Sequence, residues 1–358
     1  MAHLNAGKVM TVTGPFDPSG LGPTSPHEHL IIDFLAVGEE AQKSHQVAFS
    51  MREGTKADWE EPLSLPTYYE ARRNPFLFRD TLQLTDVDDA IDAMHEYKAA
   101  GGGCIVDVTP IGVGRNPGGL LRISREAGVK VVMGTGFYVK DYQPAAIAEM
   151  SEEAIADLIV QDIEEGDPET GVRPGIIGEI GLVWPVHPDE RKVLRAAARA
   201  QQRTGLALTI HPGRHREAPL DAIRTVEAAG GDPTRTVIDH LDRTLFEVED
   251  FIELAQTGCY VEQDLFGWET SYYPMADIDM PNDAMRVNKI VALAEAGHLD
   301  QVLISLDIDT RSRLSRYGGE GYEHIIRNVV PILRRKGFSV DEVDRIVAKN
   351  PQTMLTIQ

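Results

Sequence analysis

Pro26-His27-Glu28-His29-Leu30 places two histidines one residue apart at the mouth of an apolar run. Side chains alternate along an extended chain, so His27 and His29 face the same way and can bind one ion together, while Glu28 turns outward. Either histidine alone would be an ordinary polar residue at a strand start. The pair gains weight from four later residues, in order: Glu179 in Gly178-Glu179-Ile180-Gly181, His211 in Thr209-Ile210-His211-Pro212, His240 in Ile238-Asp239-His240-Leu241, and Asp307 after Leu303-Ile304-Ser305-Leu306. Each ends a short apolar run. The six residues His27, His29, Glu179, His211, His240 and Asp307 read as the ligand set of a two-metal hydrolase. Strands that each deliver a polar side chain at their C-terminal ends are the pattern of a (β/α)₈ TIM barrel active site.

Working outward, eight runs are short, β-branched and bounded by glycine or polar residues. They are Leu30–Asp33 with its lead-in, Cys104–Val108, Val129–Gly134, Gly175–Ile180, Ala207–His211, Thr236–His240, Cys259–Glu262 and Val302–Asp307. Helical patterns lie between them. Thr85 is placed to cap a stripe of Val87, Ala90, Ile91 and Met94, the spacing of an amphipathic helix. Ser339-Val340-Asp341-Glu342 is a capping box for a helix burying Val343, Ile346 and Val347, which Asn350-Pro351 is expected to stop. Alternating strands and helices predict a parallel sheet, and eight inward-bearing repeats predict its closure. No glycine-rich phosphate fingerprint comes after the first strand, which argues against a dinucleotide fold. We expect residues 1–358 to be one barrel domain, with long loops on the catalytic face near 34–79 and 267–286.

The formal net charge of −21 argues against a nucleic-acid partner or an anionic membrane surface. The N-terminus lacks the apolar stretch of a signal peptide, and no apolar run reaches membrane-spanning length, so a cytoplasmic protein is expected. The two cysteines, Cys104 and Cys259, sit in apolar strand-like runs. They read as small buried hydrophobes, not as a disulfide.

An acid inside an apolar run, as at Glu179, is costly to bury unless it is paired or holds a metal. No lysine or arginine lies between Pro174 and Arg191 to pair with it. A lone histidine is more often a hydrogen-bonded core residue, but His211 and His240 stand at matching strand ends. His3, His45, His95, His187, His215, His298 and His324 lack that context, with His324 and His215 the first to reconsider. At the last strand Asp307 is preferred over Asp309 because it sits where the strand ends. Imidazole and carboxylate together suit zinc, with manganese or cobalt as alternatives. Phe266, Trp268, Tyr272 and Tyr273 after strand seven suit either an apolar ligand group or packing of the loop, including against a second subunit of an expected homodimer.

Taken together, these motifs resemble the phosphotriesterase family of the amidohydrolase superfamily over the whole chain. Further matches are Ile105-Val106-Asp107-Val108-Thr109 leading to Gly112-Val113-Gly114-Arg115-Asn116-Pro117, the stretch Gly134-Thr135-Gly136-Phe137-Tyr138, and Tyr317-Gly318-Gly319-Glu320-Gly321-Tyr322. The resemblance implies an amidohydrolase-type barrel with two divalent ions. His27, His29 and Asp307 would hold the buried ion, and His211 and His240 the exposed one. The bridging position, a carbamylated lysine in the best-known organophosphate-degrading members, is here Glu179, since no lysine lies between Lys140 and Lys192. This resembles the glutamate-bridged phosphotriesterase homology proteins. Asn116 stands where related chains commonly carry aspartate and reads as peripheral. Tyr138 falls where lactone-hydrolysing relatives place a tyrosine near the substrate ring oxygen. Strand-end packing would explain it equally well.

The expected chemistry is cleavage of a small carboxylic ester, lactone or amide by a metal-bridging hydroxide. Asp307 would accept its proton, and His240 would offer a route out. No Gly-x-Ser-x-Gly elbow is present for a serine mechanism. The alternatives are a phosphotriester hydrolase and, from another class, a metal-free binding protein on the same barrel. Loss of chemistry usually erodes ligands first, and this set is intact.

Overall fold

The short β-branched runs form eight barrel strands in the computed structural model, which describes residues 3, 5–37 and 59–358. They are β1 (Thr24–Glu28), β2 (Cys104–Asp107), β3 (Lys130–Thr135), β4 (Ile176–Gly181), β5 (Leu208–His211), β6 (Thr236–Ile238), β7 (Tyr260–Gln263) and β8 (Val302–Ile304). Neighbours pair in parallel in chain order, from β1 through to β8. The seam between β8 and β1 is closed differently. The Asp307 amide donates to the His27 carbonyl at 3.2 Å. The buried Glu28 carboxylate accepts from the amides of Leu306 and Ile308, each at 3.0 Å. Glu28 therefore does turn away from the ligand face, and its contact is the last strand.

A helix precedes each of the later strands: α1 (Val87–Ala99), α2 (Pro117–Ala127), α3 (Glu152–Glu165), α4 (Pro188–Thr204), α5 (Ala218–Ala228), α6 (Val248–Ala255) and α7 (Asp283–Glu295). Most start on a side chain that satisfies an otherwise unpaired amide. Asn116 caps α2 at the Gly119 amide, Ser151 caps α3 at Ala154, and Asn282 caps α7 at Met285. Asn116, read from the sequence as peripheral, thus has a structural task as a helix cap. The helices pack on the outside of the sheet through residues such as Ile91, Met94, Ile123, Ile159, Val193 and Leu254. A second apolar cluster, with Cys104, Val106, Val132, Ile176, Ala207, Val237 and Leu303, joins Val9, Met354 and Leu355. It plugs the barrel below the polar residues, leaving the C-terminal strand ends for chemistry.

Four expectations on element boundaries need correction. The first barrel strand is Thr24–Glu28, the lead-in of the expected run, and does not extend into Leu30–Asp33. Ile32–Asp33 instead pairs antiparallel with Gln83–Leu84, because the chain turns outward after His29. The α1 cap is Asp86, whose carboxylate reaches the amides of Asp88 and Asp89. A carboxylate there outcompetes Thr85. The Ser339 capping box forms, with Val343, Ile346 and Val347 buried, but Asn350-Pro351 does not end the helix. A π-turn at Arg345–Lys349 passes into a further turn, Asn350–Leu355. Proline is tolerated at the start of a helical segment because its missing N–H is not needed there. The segment after β7 ends at Asn282, since α7 begins at Asp283. Within 34–79, residues 38–58 lie outside the described residues; the rest carries short helices at Phe34–Val37, Tyr68–Arg73, Pro75–Leu77 and Arg79–Leu82.

Candidate active site

Gly178 prepares the centre of the site. Its φ of +121° is one that other residues rarely adopt, and a Cβ there would lie 2.3 Å from the Thr209 carbonyl oxygen on β5. Glycine lets β4 approach β5 so that the next residue, Glu179, is carried into the barrel mouth. Its two oxygens then face different partners. Oε1 lies 3.7 Å from His27 Nε2 and 3.8 Å from His29 Nε2. Oε2 lies 2.5 Å from His211 Nδ1 and 3.3 Å from His240 Nε2. Asp307 joins the first group, with Oδ1 3.1 Å from His29 Nε2 and 3.5 Å from His27 Nε2. The six residues that the sequence singled out are therefore brought together, all buried.

Two of them sit in the left-handed region without being glycine: His240 and Asp307, both with φ of +52°. That conformation is unfavourable for side-chain-bearing residues and persists where surroundings hold it. The His240 amide is bonded to Asp264 Oδ2 at 2.8 Å, and the Asp307 amide to the His27 carbonyl. The turn after each strand end aims its side chain inward.

The imidazoles are oriented from behind. His29 Nδ1 meets Thr109 Oγ1 at 2.8 Å, and His240 Nδ1 meets Asp264 Oδ1 at 2.8 Å. His27 Nδ1 faces Asp239 Oδ2 at 3.5 Å. Neither ring nitrogen of His27 has a hydrogen-bond partner among the described residues, although the residue is fully buried. A buried imidazole left this way is unusual, and an ion at Nε2 would satisfy it. The three groups His27–His29–Glu179, His27–His240–Asp307 and Glu179–His211–His240 each bring their donor atoms within 4.8 Å of one another. The donor set, neutral nitrogen plus carboxylate oxygen, suits divalent cations.

Electrostatics agree with a set built for cations. Burial acts to raise Glu179, but the neighbouring His211, His240 and His27 hold its carboxyl well below the ordinary range. Burial likewise opposes ionisation of Asp307, and His27 and His29 outweigh it. Burial holds His211 well below the usual imidazole value. Asp309 behaves oppositely: burial and the adjacent Asp307 push it up to about 7. Tyr138 Oη lies 3.2 Å from His211 Nδ1, and burial keeps its phenol well above the usual range.

A cleft enclosing about 1220 Å³ of empty space, its open mouth included, leads to these atoms. Phe34, Phe76, Tyr138, Trp268, Tyr273 and Met275 are among the residues that line it. Of the four aromatics noted after β7, Trp268 and Tyr273 reach the cleft, Phe266 is buried outside it, and Tyr272 lies under the Arg73 guanidinium. Other described histidines stay apart from the cluster. His187 caps α4, His215 stacks on Trp184, and His324 bonds to Asp283.

The sequence profile of the phosphotriesterase family matches residues 7–355. The chain belongs to the phosphotriesterase family. N-acetyltaurine hydrolases from Salmo salar and Homo sapiens are 38% and 39% identical over 355 residues, with 99% of each chain covered in both comparisons. A solved resiniferatoxin-binding protein from Rhodobacter sphaeroides superposes with a TM-score of 0.89 at 36% identity, covering 100% of this chain and 98% of that one. The phosphotriesterase homology protein of Escherichia coli, solved with phosphate in its active site, gives 0.75 at 28% identity over 95% of this chain and 100% of its own. The protein is a hydrolase of this family, and amide cleavage fits its relatives.

Several residues around the phosphotriesterase-family cluster were not named as site candidates from the sequence, although Thr109 and Tyr322 lie in its matched motifs. Asp264 and Asp239 orient histidines, Thr109 holds His29, and the Tyr322 hydroxyl donates to the His29 carbonyl at 2.7 Å. Asp239 and Asp264 did carry a signal, being acids at the ends of apolar strands. Arg214 and Arg243, which also line the cleft, carried none.

Proposed function

We propose that this protein is a two-metal amidohydrolase that cleaves a short N-acyl amide of the N-acetyltaurine type. The observation that carries the reading is Glu179, which presents one carboxylate oxygen to His27 and His29 and the other to His211 and His240. That arrangement suits two cations sharing one ligand. The full-length similarity to N-acetyltaurine hydrolases supports an amide over an ester or lactone.

In this reading His27, His29 and Asp307 would hold one divalent ion and His211 and His240 the other, with Glu179 available to both. Zinc is the first expectation, with manganese or cobalt possible. Such a pair would polarise the scissile carbonyl and make water acidic enough to react near neutral pH. The chain's own residues supply the rest. Asp307 takes up the proton of the attacking water at its carboxylate. His240, tethered through Nδ1 to Asp264, stands 3.7 Å from Asp307 Oδ2 and offers the proton a way out. Tyr138 stays protonated and offers its hydroxyl to the substrate. The apolar wall of Phe34, Phe76 and Trp268 excludes water around the acyl group.

The test uses purified, metal-replete protein, with elemental analysis beside a panel of N-acetyltaurine, lactones, carboxylic esters and a phosphotriester. About two ions per chain and highest kcat/KM on the N-acyl amide are expected. A reproducible single ion, or turnover confined to the phosphotriester, would overturn the reading. Binding of an amide with no turnover in the metal-loaded protein would favour the binding-protein alternative, which the similarity to a resiniferatoxin-binding protein brings forward. The proposal includes a cytoplasmic homodimer. Leu65 and Tyr69, exposed on the segment that also brings Phe76 to the cleft, offer an apolar contact surface. Light scattering giving a monomer mass would remove the dimer.

A further inference from the structure

Several buried guanidinium groups in this protein are neutralised by carboxylates. Arg286 pairs with Asp242 at 2.7 Å and Asp283 at 3.1 Å, and Arg313 pairs with Glu320 at 2.6 Å. Arg214 and Arg243 have no such partner among the described residues, and both line the catalytic cleft. Arg214 lies just beyond β5, and among the described residues its Nη2 finds only Tyr273 Oη at 3.4 Å and Met275 Sδ at 3.6 Å. Its Nε is buried without any partner among the described residues. Arg243 lies just beyond β6 and is 1% exposed. Its donors reach Thr244 Oγ1 at 3.1 Å, the Pro212 carbonyl at 3.4 Å and His211 Nε2 at 3.0 Å, all uncharged acceptors.

The two cations lie against one ring. Tyr273, from the segment after β7, has the Arg214 guanidinium 5.3 Å and the Arg243 guanidinium 5.8 Å from its centroid. An aromatic face partly offsets a buried positive charge and holds the planar group in place. It does not replace an anion, and taking a cation out of water without a countercharge is costly. Three loops from consecutive strands thus converge to keep two under-satisfied guanidinium groups beside the reacting centre. The long-range field of a chain with net charge −21 would not draw an anion in. A local pair of donors would.

We propose that Arg214 and Arg243 form an anion subsite that seats the sulfonate or carboxylate of an N-acyl amino-acid-like substrate, next to the acyl-cleaving centre. The inference rests on the amidohydrolase reading for the chemistry of the acyl end, and adds which end of the substrate is recognised and by which residues. The proximity of Arg243 to His211 limits the substrate to a short spacer between amide and anion. One feature ties the subsite to metal loading. As the ring stands, His211 Nδ1 faces Glu179 and Nε2 accepts from Arg243. A cation at Nδ1 would place the ring proton on Nε2 and remove that acceptor, leaving Arg243 Nη2 available to an anion.

Calorimetric titration of the metal-loaded protein with ethanesulfonate and, separately, propionate reads the subsite without any turnover. In parallel, KM and kcat are measured for N-acetyltaurine, N-acetyl-β-alanine and the neutral N-acetylethanolamine. The wild type should bind at least one of the two simple anions and prefer the corresponding anionic amide, which also tells sulfonate from carboxylate. Arg214→Gln, at a partly exposed position, should weaken anion binding about tenfold or more, the scale of a lost charge-assisted pair. It should raise KM for the anionic amide by a similar factor and for the neutral one by less. Arg243→Lys should retain part of the binding that Arg243→Met loses. Anion affinity unchanged in Arg214→Gln, or equal handling of charged and neutral amides by the wild type, would overturn the subsite even if amides are cleaved. Arginine-dependent anion binding in a protein that cleaves none of the amides would uphold the subsite and remove the amidohydrolase reading instead.

Discussion

Two aspartates at the end of β8 differ in their surroundings and so in their chemical capacity. Asp307 is held ionised by His27 and His29, whereas Asp309, pushed up to about 7, has a buried oxygen with no partner among the described residues. Asp307→Asn should keep weak oxygen coordination yet lose the proton acceptor, and loss of a general base typically costs about 10²–10⁴ in rate. We expect kcat to fall by at least that much, with metal content measured alongside, and Asp309→Asn to be mild by comparison. The reverse ranking would place the ligand two residues further on. Glu179 makes a second prediction at this scale. Because its carboxylate already faces both histidine pairs, no carbamate is needed, and activity should be indifferent to added bicarbonate. Glu179→Ala should lose bound metal and activity together, since the two cations lose their shared countercharge. A fully active, metal-replete Glu179→Ala protein would show that another group bridges.

At the scale of elements, the barrel depends on a seam that is not a backbone ladder. Glu28 joins β1 to β8 by accepting two main-chain amides and the Ser25 hydroxyl. Glu28→Gln keeps the shape but turns an NH₂ group towards donors, leaving at least one buried amide unsatisfied. Such a group costs about 1–3 kcal/mol. Denaturant unfolding of the metal-free variant should show a loss on that order with an unchanged m-value. A variant as stable as the parent would mean that the Asp307–His27 backbone bond closes the barrel unaided. The neighbouring His-x-His pair arises from the same alternation. β1 delivers His27 to the mouth on one face and Glu28 to the seam on the other, so a single short strand both closes the barrel and starts its chemistry.

For the whole molecule, the cysteines report how the barrel opens. Cys104 on β2 and Cys259 before β7 are fully buried, and burial pushes both thiols up to about 12. Thiolate is the reactive form, so native protein at mildly alkaline pH should resist iodoacetamide at both positions. Both should react once the chain is unfolded, which mass spectrometry of the alkylated peptides would show. Rapid labelling of Cys104 in the folded, active enzyme would mean that the barrel floor opens locally, against the dense packing of Val106, Val132, Ile176 and Leu303 around it. Rapid labelling of Cys259, which packs outside that cluster with its thiol on the Leu254 carbonyl, would mean that α6 lifts from the sheet.

The chain alone determined the barrel and the six residues at its centre. Eight short β-branched runs bounded by glycine or polar groups, and a His-x-His pair in phase with strand alternation, are both local patterns. Local periodicity survives in one dimension. His27 and His29 share a face even though β1 stops at Glu28, because alternation carries through the end of the strand. Only the tertiary structure could decide which groups from different loops meet. Examples are the two faces of Glu179, the seam role of Glu28, the tether of His240 to Asp264, and the meeting of Arg214, Arg243 and Tyr273. The His240–Asp264 tether spans 24 positions and the Glu28–Ile308 bond spans 280, and each arginine on its own looks like any surface cation. The helix that runs past Pro351 belongs with them. A π-turn absorbed the missing amide, and Asn350 was held by the carbonyls of Leu299 and Val302, partners that no stretch of neighbouring sequence contains.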